Sequence, residues 1–319
     1  MKIISFEKIR DLNITPSQCM SWIKESFLLK DKSQLPAKIS VHPKGTDFFT
    51  SMPCFIPAKC DKEVSYFGCK VVHRIEGRIP SLGSDMLLYN AEKGNLLALI
   101  DTDWITTMRT GAVAALTAKL LRKKNSYKYG FIGLGNTARA TLLCVLGEEP
   151  NKYIEVNLLK YKNQADLFIK RFEDYHNVKF NIVDNINDLV KSVDVLFSCI
   201  TSANGLLIDD VNKYPSGITI IPVHMRGFQN CDIVFDRVLG DDASHVCGFQ
   251  YFNQFKDFNE IGEVLKGKDI GRKSEEQRII VYNYGLGLHD LVYASKIYEL
   301  INNDSTAIEL KHETSKFWI

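Results

Sequence analysis

The spacing of apolar residues divides the chain into a β-rich first part and an alternating second part. Residues 64–72, 86–90 and 95–100 have the composition of strands, and the polar segment 92–94 predicts a hairpin turn between the last two. Residues 101–103 then supply helix-capping side chains. The apolar residues that follow recur at helical spacing and predict a helix with one buried face: Ile105, Met108, Ala112, Leu116 and Leu120.

Beyond residue 125, short apolar segments alternate with helical ones. Strands are predicted at 129–132, 154–159, 180–183, 193–197 and 218–223, and helices at 137–146 and 164–175. This alternation is typical of a doubly wound parallel sheet, so the predicted fold class is α/β. The amphipathic segment from His289 to Ile301 predicts a last helix that returns to the first domain.

Composition and charge exclude several classes of protein. The 319 residues suggest about two domains, and 40 Lys and Arg against 38 Asp and Glu leave a net charge of +2. A chain so close to neutral has no strong field for nucleic acid or an anionic membrane. No apolar run approaches the roughly 18 residues of a membrane span, and charges interrupt the N-terminal segment, so we expect neither span nor leader.

The 8 cysteines predict a reduced, cytoplasmic protein. They are scattered, with no Cys-x-x-Cys pair and no histidine at zinc-ligand spacing, so no metal site is predicted. Buried structural thiols are the ordinary interpretation of such cysteines.

One run of charge indicates where two domains join. Arg122, Lys123 and Lys124 follow the long helical pattern and precede the first strand of the alternating region. Polar runs between structural patterns are typical of domain boundaries. We therefore predict a boundary between residues 124 and 125.

The candidate cofactor site begins at a glycine-rich turn. Residues 133–138 read GLGNTA, follow a predicted strand and open a predicted helix, which is the pattern of dinucleotide-binding turns. Gly133 would permit the tight turn, Gly135 would admit a pyrophosphate, and Ala138 would let the helix approach the strand. The first helical turn, with Asn136 and Thr137, would offer N–H groups and the positive end of the helix dipole to phosphates. A purely structural strand-to-helix turn is the alternative.

The end of the next predicted strand bears on the choice of cofactor. In NAD-binding folds an Asp or Glu there holds a ribose hydroxyl, but this chain continues from Leu159 with Lys160, Tyr161 and Lys162. A lysine suits a 2′-phosphate, and Tyr161 would stack on adenine. We therefore predict NAD(H) or NADP(H), with NADP(H) favoured. Solvated lysines without a ligand are the alternative.

Two cations stand in apolar surroundings in the first part of the chain. Arg109 lies in the predicted helix among small and apolar residues, and Lys70 lies in an apolar strand, on the face shared by Gly68 and Val72. Such a charge is either paired or directed at an anion. From the residues alone, a structural salt bridge or a surface lysine is the commoner outcome.

Residues 101–112 resemble a family signature. They read DTDWITTMRTGA, which resembles the D-x-x-x-I-T-x-x-R-T-A-A signature of the ornithine cyclodeaminase/μ-crystallin family. Lys70 in its strand, the Gly133-x-Gly135 turn and the segment GLGLHD at 285–290 agree with this family, in the same order along nearly the whole chain. The chain is therefore identified, by resemblance, as a member.

The resemblance implies a fold of two parts. A substrate-binding and dimerisation domain of α+β type would occupy 1–124 and be completed by a C-terminal helix in 285–319. A Rossmann domain over 125–284 would be inserted between them. The resemblance also implies a homodimer, NAD(P)-dependent chemistry at an amino-acid α-carbon and a small amino-acid or imino-acid substrate.

The resemblance also implies roles for individual residues. Lys70 and Arg109 would bind the substrate carboxylate, with Lys70 a candidate proton donor, and Lys38 would stand where the family has an arginine. A lysine there loses bidentate clamping. A cluster of three cations would favour the uncharged form of Lys70, which would let it move a proton near neutral pH. We also place four further residues at the cofactor: Thr110, Cys199, Thr201 and Gly285.

Two departures separate this chain from true cyclodeaminases. Thr50 stands where they have an acidic residue before Met-Pro, and the loop His224-Met225-Arg226 lacks their Asp and Pro-Gly-Lys. The lost Asp is expected to engage the amine and act as base in ornithine deamination. His224 titrates near neutrality and would replace it, or with Arg226 bind a second carboxylate; a satisfied loop histidine is the alternative. This loop and residues 271–277 resemble the branch with the opine-type dehydrogenase of diaminopropionate biosynthesis.

Three functions are consistent with these residues. The first is an NAD(P)-dependent imine reductase or opine-type amino-acid dehydrogenase, which makes or breaks a C–N bond at Cα by hydride transfer. The second is an ornithine or lysine cyclodeaminase that recycles bound NAD and releases ammonia. The third is a non-catalytic, cofactor-retaining protein of the μ-crystallin kind. The missing acidic residues favour the first.

Overall fold

The computed structural model describes residues 1–58, 60 and 63–301; residues 302–319 of the predicted C-terminal segment lie outside this range. The strands are β1 (Lys2–Ile4), β2 (Ile39–Val41), β3 (Phe48–Ile56), β4 (Tyr66–Arg74), β5 (Leu82–Asn90), β6 (Leu96–Asp101), β7 (Lys128–Ile132), β8 (Ile154–Leu159), β9 (Val178–Val183), β10 (Val195–Ser198), β11 (Thr219–Pro222), β12 (Arg237–Gly240), β13 (Asn259–Glu260) and β14 (Ile279–Tyr282). The helices are α1 (Phe6–Asp11), α2 (Pro16–Leu29), α3 (Asp103–Leu121), α4 (Asn136–Glu148), α5 (Gln164–Lys170), α6 (Ile186–Lys191), α7 (Ala243–Val246), α8 (Ile261–Leu265) and α9 (Gly287–Leu300).

Contacts divide the chain into two units, and the first contains residues 1–14, 31–106 and the described residues from Gly287 onward. Its sheet has the strand order β1-β6-β5-β4-β3-β2, antiparallel except for the parallel pair β1 and β6. Helix α9 packs on β3, β4 and β5. The approach is close, because a Cβ added at Gly68 on β4 would lie 2.7 Å from the Leu291 side chain. The C-terminal helix therefore covers one face of a sheet built from the N-terminal part of the chain.

The second unit contains residues 15–30 and 107–286. Its sheet is parallel throughout, in the order β13-β12-β14-β11-β10-β7-β8-β9. Apolar residues of its inner strands β7, β10, β11 and β14 are buried. Phe131 on β7 packs against Phe197 and Phe168, with ring centroids 4.9 and 5.9 Å apart. The predicted α/β class with a doubly wound parallel sheet is confirmed.

These units do not follow the predicted boundary at residues 124 and 125. The division falls inside α3, between Thr106 and Thr107. The reason is a close helix contact: a Cβ added at Gly111 would lie 2.5 Å from the backbone of Ala140 on α4, so α3 packs into the second unit well before it ends. The charged run at 122–124 marks only the end of that helix.

The first 60 residues contain elements that periodicity did not predict. Helix α2 begins with a capping box, in which Thr15 caps the backbone of Gln18 and the Gln18 side chain returns to Thr15, with Pro16 in the first turn. It belongs to the second unit, where Ser17 donates a hydrogen bond to the Gly147 carbonyl at 2.7 Å. The capping residues of α2 are therefore visible in the sequence, but its packing partner, α4, is not.

One predicted helix is wrong at its end. The pattern at 164–175 predicted a longer helix than α5, which stops at Lys170 with Arg171 as its C-cap. Phe172 follows the cap and packs against Phe168 and Phe180, with ring centroids 5.1 and 6.1 Å apart. Burial of this ring outweighs continuation of the helix.

Candidate active site

Lys70 lies in the middle of the sheet of the first unit, on the face that α9 covers. The register places it opposite Met52 on β3 and opposite Met86 on β5, with Ile100 on β6 completing the row. Lys70 is completely buried. A buried ammonium between two methionines needs strong polar partners, because an unpaired charge is expensive to desolvate.

Asp290 supplies one of these partners from α9. Its Oδ1 lies 2.7 Å from Lys70 Nζ, and both side chains are completely buried. Gly287, at the first position of α9, sits against β3, because a Cβ there would lie 3.3 Å from the Met52 carbonyl. Asp290 follows one turn later and reaches Lys70. An opposite charge at this distance favours the protonated ammonium, so the environment is not the purely cationic one that we predicted.

Hydroxyl groups extend from the other side of Lys70. Lys70 Nζ lies 3.3 Å from Thr106 Oγ1, and Thr106 Oγ1 lies 2.9 Å from Ser84 Oγ. Ser84 in turn donates to Asp103 Oδ1, from its backbone N–H at 2.7 Å and its hydroxyl at 3.2 Å. Lys70 therefore stands between two carboxylates, one in direct contact and one reached through two hydroxyls.

Lys38 is half-buried and lies just before β2. Ile39 pairs with Ser51 on β3, so continuing the register places Lys38 opposite Met52, which is itself opposite Lys70. Two strand spacings separate the two lysines, about 10 Å. The two predicted cations of the first unit thus share one row of the sheet.

The carboxyl ends of the parallel strands in the second unit carry most of the predicted cofactor residues. Strand order reverses between β7 and β10, and Gly133 directly follows β7. Ligands of open α/β sheets bind at such a switch point. Gly133 has a φ of +78°, and a Cβ there would lie 2.9 Å from the backbone of Cys199. Only glycine satisfies both conditions.

A cleft of about 470 Å³ lies at this edge of the sheet. Six of the predicted cofactor residues line it: Gly133, Gly135, Lys160, Tyr161, Cys199 and Thr201. Gly135 is the N-cap of α4 with no side-chain cap, and a Cβ added there would meet nothing within 4 Å. The first-turn N–H groups of α4, at Asn136, Thr137 and Ala138, follow it. This arrangement fits the phosphates of a dinucleotide.

Cys199 contributes an uncharged side chain to the cleft. Burial raises the pKa of its thiol to about 12, so the group stays protonated at neutral pH. Among all eight cysteines, five are buried, Cys69 is half-buried, and Cys60 and Cys247 are exposed. The predicted burial of thiols therefore holds for most of them.

Lys160 has a carboxylate beside it that the sequence did not predict. Asp184 follows β9, and its Oδ1 lies 3.3 Å from Lys160 Nζ. Both side chains are largely exposed, 60% and 81%, so the pair is weak and open to exchange with a ligand. Lys160 lines the cleft, and Asp184 is an anion that an anionic ligand at Lys160 would have to displace.

Arg109 belongs to the second unit, where it packs against Gly285. It is 8% exposed, and a side chain at Gly285 would collide with its guanidinium. Gly285 has a φ of +81°, and its N–H donates to Asp241 Oδ2 at 2.5 Å. Thr110, the next residue on α3, and Gly285 are not among the residues that line the cleft.

The loop after β11 carries His224 and Arg226. His224 is half-buried and Arg226 is exposed, on either side of Met225, whose φ is +60°. Because β11 lies between β10 and β14, this loop emerges at the same carboxyl edge as Cys199 and Gly285. The roles predicted for the two residues stay predictions.

Comparison with known proteins decides the family. The profile of the ornithine cyclodeaminase/mu-crystallin family matches residues 3–305. The chain belongs to this family. An alanine dehydrogenase of Archaeoglobus fulgidus is 26% identical over 317 residues, 93% of this chain and 94% of that one. A Delta(1)-pyrroline-2-carboxylate reductase of Colwellia psychrerythraea is 26% identical over 318 residues, 94% of this chain and 99% of that one.

The fold agrees with this family assignment. The solved structure of an archaeal alanine dehydrogenase dimer with bound NAD is similar with a TM-score of 0.83 at 23% identity, covering 98% of this chain and 99% of that one. The resemblance seen in residues 101–112 and 285–290 is thereby confirmed at the level of the family. Assignment to the opine-type branch stays a prediction. Among the described residues, no helix combines the length and the apolar character that crossing a membrane requires.

Several polar residues of this family member were missed from the sequence. Asp290 and Thr106 contact Lys70, and Ser84 and Asp103 follow Thr106 through hydrogen bonds, yet only Lys70 was singled out. Thr106, Asp103 and Asp290 all fall inside segments that carried the family resemblance, so a signal existed. Ser84 had none, because its position follows only from the register of β5.

Proposed function

We propose that this member of the ornithine cyclodeaminase/μ-crystallin family is an NAD(P)-dependent imine reductase or amino-acid dehydrogenase. It would transfer hydride at the α-carbon of a small amino or imino acid. The observation that carries the proposal is the completely buried Lys70–Asp290 ion pair, in a chain whose second unit holds a dinucleotide-type cleft. The names of two relatives, an alanine dehydrogenase and a pyrroline-2-carboxylate reductase, support this chemistry.

Lys70 suits the two tasks that the protein would perform. Bound NAD(P)H would supply the hydride that reduces a C=N bond at Cα. The imine nitrogen then needs one proton, and the substrate carboxylate needs a cation that holds it in place. The Lys70 ammonium, kept charged by Asp290, carries both a positive charge and transferable protons.

The row of the sheet next to Lys70 offers no counter-charge to a cationic substrate side chain. On the same face of the sheet, the register continues from Lys70 to the row Ser40, Thr50, Val72 and Ser84. Ser40 and Thr50 pair with each other at 2.7 Å, and no member of this row carries a charge. The amine of ornithine or lysine would find no counter-charge in the row, and the two nearby carboxylates, Asp290 and Asp103, already pair with Lys70 and Ser84. This favours a reductase over a cyclodeaminase.

The net oxidation of NADH or NADPH during turnover tests the proposed function. The purified protein is incubated with NADH or NADPH and either Delta(1)-pyrroline-2-carboxylate or pyruvate with ammonia, and absorbance is followed at 340 nm. We expect oxidation of the reduced cofactor with at least one of these imine sources. Separately, ornithine and lysine are supplied with NAD. Ammonia release without net cofactor reduction would instead establish a cyclodeaminase, and cofactor binding with no turnover would indicate a non-catalytic protein.

If the protein prefers NADP(H), substitutions at Lys160 and Asp184 should change NADPH affinity in opposite directions. Lys160→Ala removes the cation for a 2′-phosphate and should weaken NADPH binding about 10-fold, while NADH binding changes little. Asp184→Asn removes the competing carboxylate and should tighten NADPH binding. Titration of cofactor fluorescence measures both dissociation constants. Tighter NADH than NADPH binding in the unmodified protein would contradict the preference.

We further propose that the protein is a homodimer through the outer face of the first unit's sheet. Several residues on that face are apolar and exposed, including the cross-strand row Ile3, Leu99 and Leu87. A contiguous apolar sheet face is unusual on a monomer. A second copy of the chain is the occupant that we propose, in keeping with the dimeric state of the archaeal alanine dehydrogenase.

A single charge on that face should convert the dimer to a monomer. Leu87 on β5 is 37% exposed, and Leu87→Glu would place an unpaired carboxylate in the interface. Light scattering after size exclusion should then give half the mass of the unmodified protein. Leu167→Glu is the matched control, because Leu167 is 48% exposed on α5 of the second unit. Equal masses for the Leu87 variant and the unmodified protein would rule out this interface.

A further inference from the structure

We propose that Thr106, Ser84 and Asp103 are positioning residues for the Lys70 ammonium. This inference rests on the proposed function, in which Lys70 acts at the substrate. The three residues come from two elements, β5 and α3, and together form a hydrogen-bonded chain that begins at Lys70. They are not among the residues that line the cofactor cleft, and their hydrogen bonds lead to Lys70, so each would act through Lys70.

The direction of every hydrogen bond in this chain follows from its last member. The Asp103 carboxylate only accepts, so the Ser84 hydroxyl donates its proton to Asp103 Oδ1 at 3.2 Å. The lone pairs of Ser84 Oγ then accept from the Thr106 hydroxyl, 2.9 Å away. Thr106 Oγ1 in turn accepts from Lys70 Nζ at 3.3 Å. The carboxylate thus orients two hydroxyls and presents an acceptor to the ammonium.

Two N–H bonds of Lys70 are committed by this arrangement. One is directed to Asp290 on α9 at 2.7 Å, and one to Thr106 on α3. Rotation about the Cε–Nζ bond is thereby fixed. A lysine that gives up a proton keeps two N–H bonds, so both acceptors would stay satisfied when Lys70 donates its third proton. Proton transfer at this nitrogen would therefore leave both hydrogen bonds in place, while the bond to Asp290 would lose the charge on its donor.

Hydrogen bonds fix the start of α3 to strand β5 and to the end of β6. The Thr102 N–H donates to the Ser84 carbonyl at 2.9 Å, and the Asp103 N–H donates to Asp101 Oδ1 at 3.0 Å. Thr106 lies three residues after Asp103, on the same side of the helix. The position of Thr106 is thus tied to β5, the strand that neighbours Lys70.

The first test is independent of activity. Thr106→Val and Lys70→Met are made singly and together, and the urea midpoints of unfolding are compared in a double-mutant cycle. We expect clearly non-additive midpoints, because Thr106 and Lys70 interact directly. Thr106→Ser should restore the unmodified midpoint. Additive midpoints would overturn the proposed contact, whatever the protein catalyses.

The second test measures turnover of whichever imine substrate supports cofactor oxidation in the 340 nm assay. Thr106→Val and Ser84→Ala should lower kcat on the order of 10- to 100-fold, with an unchanged dissociation constant for the cofactor, and Thr106→Ser should recover most of it. Ser295→Ala is the matched control, since its buried hydroxyl donates to the Val292 carbonyl within α9 and does not belong to the chain. Unmodified kcat in Thr106→Val would overturn the positioning role. An unmodified protein without any turnover, but with non-additive midpoints, would refute the proposed function alone.

Discussion

Lys70→Met is expected to lower kcat/KM for the imino acid by about 10³-fold or more, the largest effect that we predict for a single side chain. The substitution removes the buried ammonium while leaving a side chain of similar length between Met52 and Met86. Steady-state kinetics measures the loss, and fluorescence titration checks that the cofactor still binds. Retention of turnover in this variant would remove Lys70 from the chemistry.

Lys70→Met should also destabilise the first unit, because it leaves Asp290 completely buried without its counter-charge. Breaking a buried pair in this way costs about 3–5 kcal/mol. The double variant Lys70→Met with Asp290→Leu replaces both charges by apolar groups and should recover much of the free energy of unfolding, but none of the activity. Urea denaturation of the three proteins separates loss of stability from loss of chemistry. A double variant no more stable than Lys70→Met would contradict this account.

Gly133→Ala is expected to abolish cofactor binding, with a loss of at least about 100-fold in affinity. An alanine at this position would have to adopt the left-handed backbone conformation, at φ +78°. Its Cβ would lie 2.9 Å from the backbone of Cys199. Since Gly133 joins β7 to the cleft, the turn itself must move. Fluorescence titration with NADH and NADPH measures the affinity, and thermal unfolding measures the change in stability.

Two other glycines provide controls for this prediction. Gly94 has a φ of +71° with nothing within 4 Å of an added Cβ, so Gly94→Ala reproduces the backbone strain without the collision. At Gly135 an added Cβ meets open space and the backbone φ is ordinary, so the Gly135→Ala variant should fold normally. We expect only its affinity for the cofactor to fall, by about 10-fold. If Gly133→Ala bound the cofactor as the unmodified protein does, the turn would not be the phosphate site.

The sequence was most informative where the physical cause is local. The turn at 133–138 was predicted correctly because its glycine spacing and the flanking strand and helix lie within a few residues of one another. The same holds for the alternation that predicted the parallel sheet. The division inside α3 was not predictable in this way, since it depends on how closely Gly111 packs against Ala140 on α4.

By itself, the sequence determined the family, the fold class and the two chemical features of this protein, a dinucleotide turn and a lysine in an apolar strand. Only the tertiary structure decided what that lysine meets. Asp290 and Thr106 lie on helices far from Lys70 along the chain, and the packing of these helices on the sheet, which no local pattern encodes, brings them to it. Because the state of a buried charge is set by its nearest partners, a cation predicted to stand among cations proved to be paired with a carboxylate.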